Sequence, residues 1–147
     1  MILDPQAIIK QKVDFKQINL YLKKTNRFLS AAKLNLDINE DIAFTAAYDS
    51  MLTITLALML SHGYRPRKQM GHHQTLVESS KQILGPKFHL ITSTYSRMRR
   101  KRNNVIYEAE NVAISEAKEA VKFAGKYYEV VENKICADNP QQKLWKS

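Results

Sequence analysis

A short stretch of the chain, residues 99 to 107, carries side chains that could bind phosphate and bases. Arg99, Asn103 and Tyr107 recur every four residues, with Glu110 next, and such neighbours lie on one side of a helix. Guanidinium groups bind phosphate oxygens through paired donors, while amide and phenol groups contact bases and sugars. The spacing therefore predicts a surface for phosphate and base contacts.

The neighbouring apolar stripe of the same helix is interrupted by a charge. It reads Ile91, Tyr95, Met98, Arg102, Val105 and Ala109. A guanidinium is costly to bury without a partner, so Arg102 must face a carboxylate, a groove, a subunit interface or a ligand. One alternative is purely structural, with Arg102 paired to Asp49 or another acid inside the bundle. The residues alone leave both interpretations open.

Two other pairs of residues could take part in chemistry. His72 and His73 are adjacent, so their side chains would point about 100° apart on a helix. No acid or thiol lies at metal-ligand spacing from them, and we interpret them as helix-start histidines without a ligand role. Tyr48 and Asp49 could orient Arg102 if their helices are neighbours, or could be an ordinary polar pair at a helix start.

A second basic patch runs from Tyr64 to Lys68 and contains Arg65 and Arg67. Cations in a loop beside an aromatic ring suit contacts to a nucleic-acid backbone, although a merely solvated loop fits equally well. The chain contains no Gly-rich phosphate loop, no Ser/His/Asp ordering and no paired carboxylate set. We therefore expect no metal and no cofactor.

The apolar periodicity predicts five helices and an all-α fold, an antiparallel bundle of four to five helices. Asn39 is placed to cap the second helix, and Gly63 is placed to end it. We expect one domain over residues 1–136, a loop over Tyr64–Gly71 and a polar tail over residues 137–147. The predicted helices are Phe15–Leu36, Glu40–His62, His72–Leu84, Phe88–Glu108 and Ile114–Ile135.

The net charge of +9 is concentrated in one part of the chain. Residues 64–102 hold ten Lys and Arg against one acid, Glu78. This asymmetry suggests a polyanion partner, with a solvated basic face as the alternative. The single Cys136 suits a reducing compartment. The longest apolar-rich run, Met51–Leu60, is about half the length that a bilayer requires, so we expect a cytoplasmic protein without a membrane partner.

The segment Arg102-Asn103-Asn104-Val105-Ile106-Tyr107 resembles the signature helix of HEPN domains (higher eukaryotes and prokaryotes nucleotide-binding). Their usual pattern is Arg, a polar residue such as Asn, a few variable residues and then His. Earlier pieces agree in order and spacing: Ala47–Ser50, Gly63–Pro66 and Gly71–His73. The resemblance covers residues 42–135.

The resemblance implies a helical bundle that forms a homodimer, with the Arg and His near the dimer cleft. Many HEPN members are metal-independent ribonucleases, and others are binding or scaffolding modules. Some are paired with a nucleotidyltransferase partner in toxin–antitoxin or defence systems. By position, Arg102 matches the family arginine and Asn103 matches its polar neighbour.

Tyr107 stands where the family has histidine, and no histidine follows it. Proton transfer at neutral pH suits imidazole, whereas tyrosine has an ordinary pKa of about 10. Our first hypothesis is therefore an RNA- or nucleotide-binding homodimer. Arg102, Asn103 and Tyr107 would line its cleft, helped by Arg99, Arg100, Arg65 and Arg67. The alternatives are a ribonuclease toxin with Arg102 and Tyr107 catalytic, and an interaction module that docks an acidic partner through the basic helix.

Overall fold

The structure, a computed structural model, describes residues 4–68 and 72–145. Its helices confirm the predicted all-α bundle, each within a few residues of the expected ends. They are α1 (Phe15–Asn35), α2 (Glu40–Ser61), α3 (His72–Leu84), α4 (His89–Tyr107) and α5 (Ile114–Asp138). A short 3-10 turn, Pro86–Phe88, links α3 to α4.

Helix α2 is the centre of the bundle and packs against all four other helices. Its apolar residues lie on every face, and Tyr48, Met51 and Leu58 are fully buried. Asn39 caps it as predicted, because its side-chain oxygen accepts a hydrogen bond from the Ile42 amide at 3.0 Å. Length and composition alone would let α2 cross a membrane, but 67% of its most apolar window is buried. This burial is typical of a core helix.

Two glycines reverse the chain at the ends of α2 and α3. Gly63 and Gly85 have φ values of 83° and 82°, in the left-handed region that glycine adopts without strain. After Gly85 the turn directs α4 back along α3, so that the start of α3 lies beside the second half of α4. This reversal places His73 close enough to Arg99 and Arg102 for their positive charges to lower its pKa.

The predicted loop is wrong for three of its residues. Tyr64–Pro66 forms a strand, β2, which pairs antiparallel with β1 (Ile8–Lys10), placing Ile8 opposite Pro66. The Gln11 amide donates to the Gly63 carbonyl at 2.9 Å and extends the pairing. A three-residue strand is too short to show alternation, and its partner lies more than 50 residues earlier. Residues 69–71 of the predicted loop lie outside the described residues.

The apolar residues of α5 recur at alternating steps of three and four, which predicts a packing stripe through Ile114, Ala117, Val121, Ala124, Tyr128, Val131 and Ile135. Burial confirms this stripe along most of its length. Ala117, Val121, Ala124, Val131 and Ile135 are buried, whereas Ile114 is exposed. Tyr128 is partly buried against the core, and its neighbour Tyr127 is fully buried. The segment after α5 returns to the bundle, where Leu144 is buried and the Trp145 amide donates to the Asn19 side chain. Residues 146–147 of the predicted tail lie outside the described residues.

Candidate functional site

Three helices bring polar side chains together around the ring of Tyr48, on α2. The Arg102 guanidinium carbon lies 5.9 Å from the centre of this ring, within range for a cation–π contact. The His73 ring, at the start of α3, lies 5.8 Å from the same centre. Asp49 and Arg99 interact electrostatically with this group. We call these five residues, Tyr48, Asp49, His73, Arg99 and Arg102, the arginine site.

The two arginines have unused hydrogen-bond donors. The Nε atoms of Arg99 and Arg102 are buried and have no hydrogen-bond partner. No ion pair joins either arginine to an acid within residues 4–68 and 72–145. Asp49 is close enough for Arg102 to act on its pKa, which burial raises and Arg102 lowers in part. The structural alternative, a closed Arg102–Asp49 ion pair, is therefore not what the structure shows.

His73 contributes an uncharged imidazole to this cationic group. Burial lowers its pKa to about 4, and the neighbouring His72, Arg102 and Arg99 act in the same direction. At neutral pH the ring therefore keeps a free lone pair. The buried Tyr48 hydroxyl also has no hydrogen-bond partner, and burial raises its pKa. An anion bound here would satisfy guanidinium and hydroxyl donors together.

This lowered pKa predicts that acid destabilises the fold through His73. The unfolded chain binds the proton near pH 6.5 and the folded chain only near pH 4. The free energy of unfolding should therefore fall as the pH drops from about 6.5 to about 4. The shift corresponds to at most about 3 kcal/mol, and partial exposure of the ring reduces the expected loss to about 1–2 kcal/mol.

Urea unfolding of the wild type and His73→Asn at pH 7.5 and pH 4.5 measures this loss. The variant should be less sensitive to pH, while His89→Asn, at an exposed histidine, should behave as the wild type. Asp49 acts in the opposite sense, because its raised pKa favours the folded state at acid pH. Equal sensitivity of the wild type and His73→Asn would contradict the assignment.

Buried tyrosines pack edge to face against one another on the core side of the arginine site. The Tyr95 ring lies 6.0 Å from Tyr48 and 5.1 Å from Tyr127, both in edge-to-face arrangements. The Tyr127 hydroxyl shares a 2.7 Å hydrogen bond with Thr55 of α2. Such pairs stabilise a core beyond their buried area. The tyrosines therefore hold α2, α4 and α5 in register beneath the arginines.

The structure does not join every residue of the predicted cleft. Asn103 is half-buried, one turn beyond Arg99. Tyr107 is the last residue of α4 and is 74% exposed, and residues five apart on a helix point about 140° away from each other. Arg102 and Tyr107 therefore do not face one another within one chain, and the catalytic role of Tyr107 stays a prediction. The helical stripe predicted through Glu110 is wrong, because α4 ends first and Glu110 pairs with Lys101 at 2.7 Å.

The remaining predicted binding residues lie at two places. Arg100 is exposed on α4 and donates to the Ser96 hydroxyl at 3.3 Å. Arg65 lies on β2, and Arg67 follows it with its Nε donating to the Pro5 carbonyl at 3.3 Å. No hydrogen bond, ion pair or ring contact in the described part of the chain joins Arg65 or Arg67 to the arginine site.

His73 is the member of the site that sequence reasoning missed. The sequence places it at a helix start, but nothing in the local sequence indicates which neighbour a helix start contacts. Tyr48 and Asp49 are predicted partners of Arg102 only if their helices are neighbours, which they are. Among residues 4–68 and 72–145 no group of three or more His, Cys, Asp or Glu could hold a metal.

A comparison with models of known protein families shows to which family the chain belongs. The model of the HEPN domain matches residues 18–134, which include all three helices of the arginine site. The chain belongs to the HEPN-domain family. The resemblance seen in the sequence is thereby confirmed, and a HEPN domain points in general to a function with nucleotides or RNA. No curated protein matches this HEPN domain closely enough to count as a relative.

Proposed function

We propose that this HEPN domain is a homodimer that binds RNA or a nucleotide, with phosphate held by Arg99 and Arg102. The observation that carries the proposal is that neither arginine forms an ion pair in the described part of the chain, and that the Nε atoms of both lack an acceptor. Buried donors are nearly always satisfied, so an unsatisfied pair calls for a partner from outside the chain. A phosphate fits, because it accepts several charge-assisted hydrogen bonds at once.

Asn103 and Tyr107 continue from the arginines along α4 and would contact the base or sugar. The exposed Tyr107 ring can stack on an unpaired base, a contact worth about 1–3 kcal/mol. Arg100, Arg65 and Arg67 would contact the backbone. These cations supply the salt-dependent part of the affinity, which carries no sequence information.

The homodimer is supported by apolar surface at the end of α4. Ile106 is exposed there beside Tyr107. A second subunit would cover Ile106 and add its own arginines to a shared cleft in which Tyr107 stays open to the base. Light scattering measures the molar mass of the protein in solution and so distinguishes a homodimer from a single chain. In a cytoplasmic toxin–antitoxin or defence system, a nucleotidyltransferase or antitoxin would be the protein partner.

A metal-independent ribonuclease is the second candidate, and the position of His73 favours it. The neutral imidazole would accept the proton of a 2′-hydroxyl as that oxygen attacks the adjacent phosphorus. It is a weak base while its pKa is about 4, and a bound phosphate would raise that pKa and strengthen it. Arg102 would stabilise the added negative charge on the phosphoryl oxygens. As the bond to the 5′-oxygen breaks, that oxygen takes a proton from water or from Tyr107. His73 thus supplies the imidazole that α4 lacks, because Tyr107 stands at the position of the family histidine.

The test is to incubate wild-type protein with labelled single-stranded RNA in EDTA and to measure binding and cleavage together. Binding without cleavage supports the binding module. Cleavage in EDTA moves the ribonuclease to first place. If neither occurs, the proposal fails, and the basic helix α4 is instead assigned to docking an acidic protein.

A further inference from the structure

A groove separate from the arginine site runs between α3 and α4. Its volume is about 310 Å³. Cations from both helices and hydroxyl groups from α4 line it, with Val77 and the buried Thr92 in the lining. The lining residues are Val77, Glu78, Lys81, Thr92, Ser93, Ser96, Arg97 and Arg100.

The cations of this groove outnumber its acids, because Lys81, Arg97 and Arg100 share the lining with one carboxylate, Glu78. Arg97 donates to the Thr94 hydroxyl at 3.0 Å and Arg100 to the Ser96 hydroxyl. In the described part of the chain no ion pair involves Lys81, Arg97 or Arg100. Lys101, one turn along α4 from Arg97, is by contrast bound to both Glu110 and Glu116. The groove therefore keeps a net positive charge, whereas the charge of Lys101 is neutralised.

One end of the groove approaches the arginine site along both helices, although the two share no lining residue. Arg100 lies at one end of its lining and is adjacent to Arg99 in the chain. The α3 side of the groove continues towards His73, at the start of that helix. From Ser93 to Arg100 the groove follows α4 for about 10 Å. That length accommodates about two phosphates of a single strand, because six backbone bonds separate neighbouring phosphorus atoms.

We infer that the α3–α4 groove binds the phosphates that flank the one held by Arg99 and Arg102, so that the ligand is an RNA strand of several nucleotides. This inference rests on the proposed function and specifies its ligand. Hydroxyl groups and flexible cations bind backbone phosphates without reading bases. The groove therefore contributes affinity that grows with strand length, while the arginine site binds a single phosphate.

The test compares an adenosine monophosphate with RNA strands of 2, 4, 8 and 12 nucleotides. For the wild type, affinity should rise about 100-fold or more from the mononucleotide to the longest strand. The variant Lys81→Ala/Arg97→Ala should lose about tenfold for that strand while binding the mononucleotide as before. The slope of the logarithm of its binding constant against the logarithm of the salt concentration should become shallower by about 1.4. Each lost phosphate contact of a single strand removes about 0.7 from this slope.

The matched control is Lys122→Ala/Lys126→Ala, which removes two exposed cations from α5 and should behave as the wild type. Equal affinity of the wild type for one nucleotide and for twelve would overturn the groove but leave phosphate binding by the arginines in place. Unchanged strand affinity in Lys81→Ala/Arg97→Ala would also overturn it. If the wild type binds neither ligand, the proposed function fails and the groove inference fails with it.

Discussion

Arg102→Ala is expected to raise the Kd for single-stranded RNA by about 30-fold or more. Loss of a charge-assisted contact to a desolvated phosphate costs about 2 kcal/mol or more, and each 1.4 kcal/mol corresponds to about a factor of ten. The fold should survive, because no ion pair within residues 4–68 and 72–145 depends on Arg102. The lost Tyr48 contact is worth only about 0.5–2 kcal/mol.

Fluorescence anisotropy with labelled RNA in EDTA measures this change, and circular dichroism checks the helix content. Arg27→Ala removes an exposed arginine of α1 and controls for the loss of one positive charge. Arg102→Lys should fall between wild type and Ala, because an ammonium keeps the charge but not the paired donors. If Arg102→Ala binds RNA as tightly as Arg27→Ala, Arg102 does not hold the phosphate.

Tyr95→Ala is expected to lower the free energy of unfolding by about 3–5 kcal/mol. Tyr95 is fully buried between Tyr48 and Tyr127, so truncation leaves a cavity beneath the arginine site. Tyr95→Phe should change the same quantity by less than about 1 kcal/mol, because the buried hydroxyl has no hydrogen-bond partner to lose. The pair of variants separates the packing of the ring from its polar group.

Urea unfolding followed by circular dichroism measures both values. Leu20→Ala, at an exposed position on α1, is the control for truncation without a cavity. RNA binding by Tyr95→Ala should weaken as well, since α2 and α4 lose the ring that keeps their side chains in register. A Tyr95→Phe variant as unstable as Tyr95→Ala would show that the hydroxyl, rather than the ring, carries the stability.

The five helices are predictable because each is long enough for its apolar residues to repeat several times. The α5 stripe from Ala117 to Ile135 is an example of such a repeat. The Asn39 cap and the Gly63 helix end are predictable for another reason, because each depends only on residues next to it in the chain. Strand β2 escapes prediction because its three residues become a strand only by pairing with Ile8–Lys10. Local sequence cannot report a pairing made at that distance.

The site is predictable only in part, for the same reason. The charge within an apolar stripe singles out Arg102 from the sequence alone, because burial of an arginine requires explanation. The neighbours of Arg102 depend on how three helices meet, and His73 comes from a helix start almost thirty residues earlier in the chain. The family pattern groups Tyr107 with Arg102, but the two side chains point in different directions on α4.

The pairing of β1 with β2 has a practical consequence for fragments of this protein. The family match begins at residue 18, whereas β1 ends at Lys10. A fragment trimmed to the matched residues would leave the backbone groups of Tyr64–Pro66 without their partner strand. Unpaired strand edges recruit strands from other molecules. Such a fragment would keep the helices of the arginine site and tend to aggregate, so any fragment made for expression should retain the residues before α1.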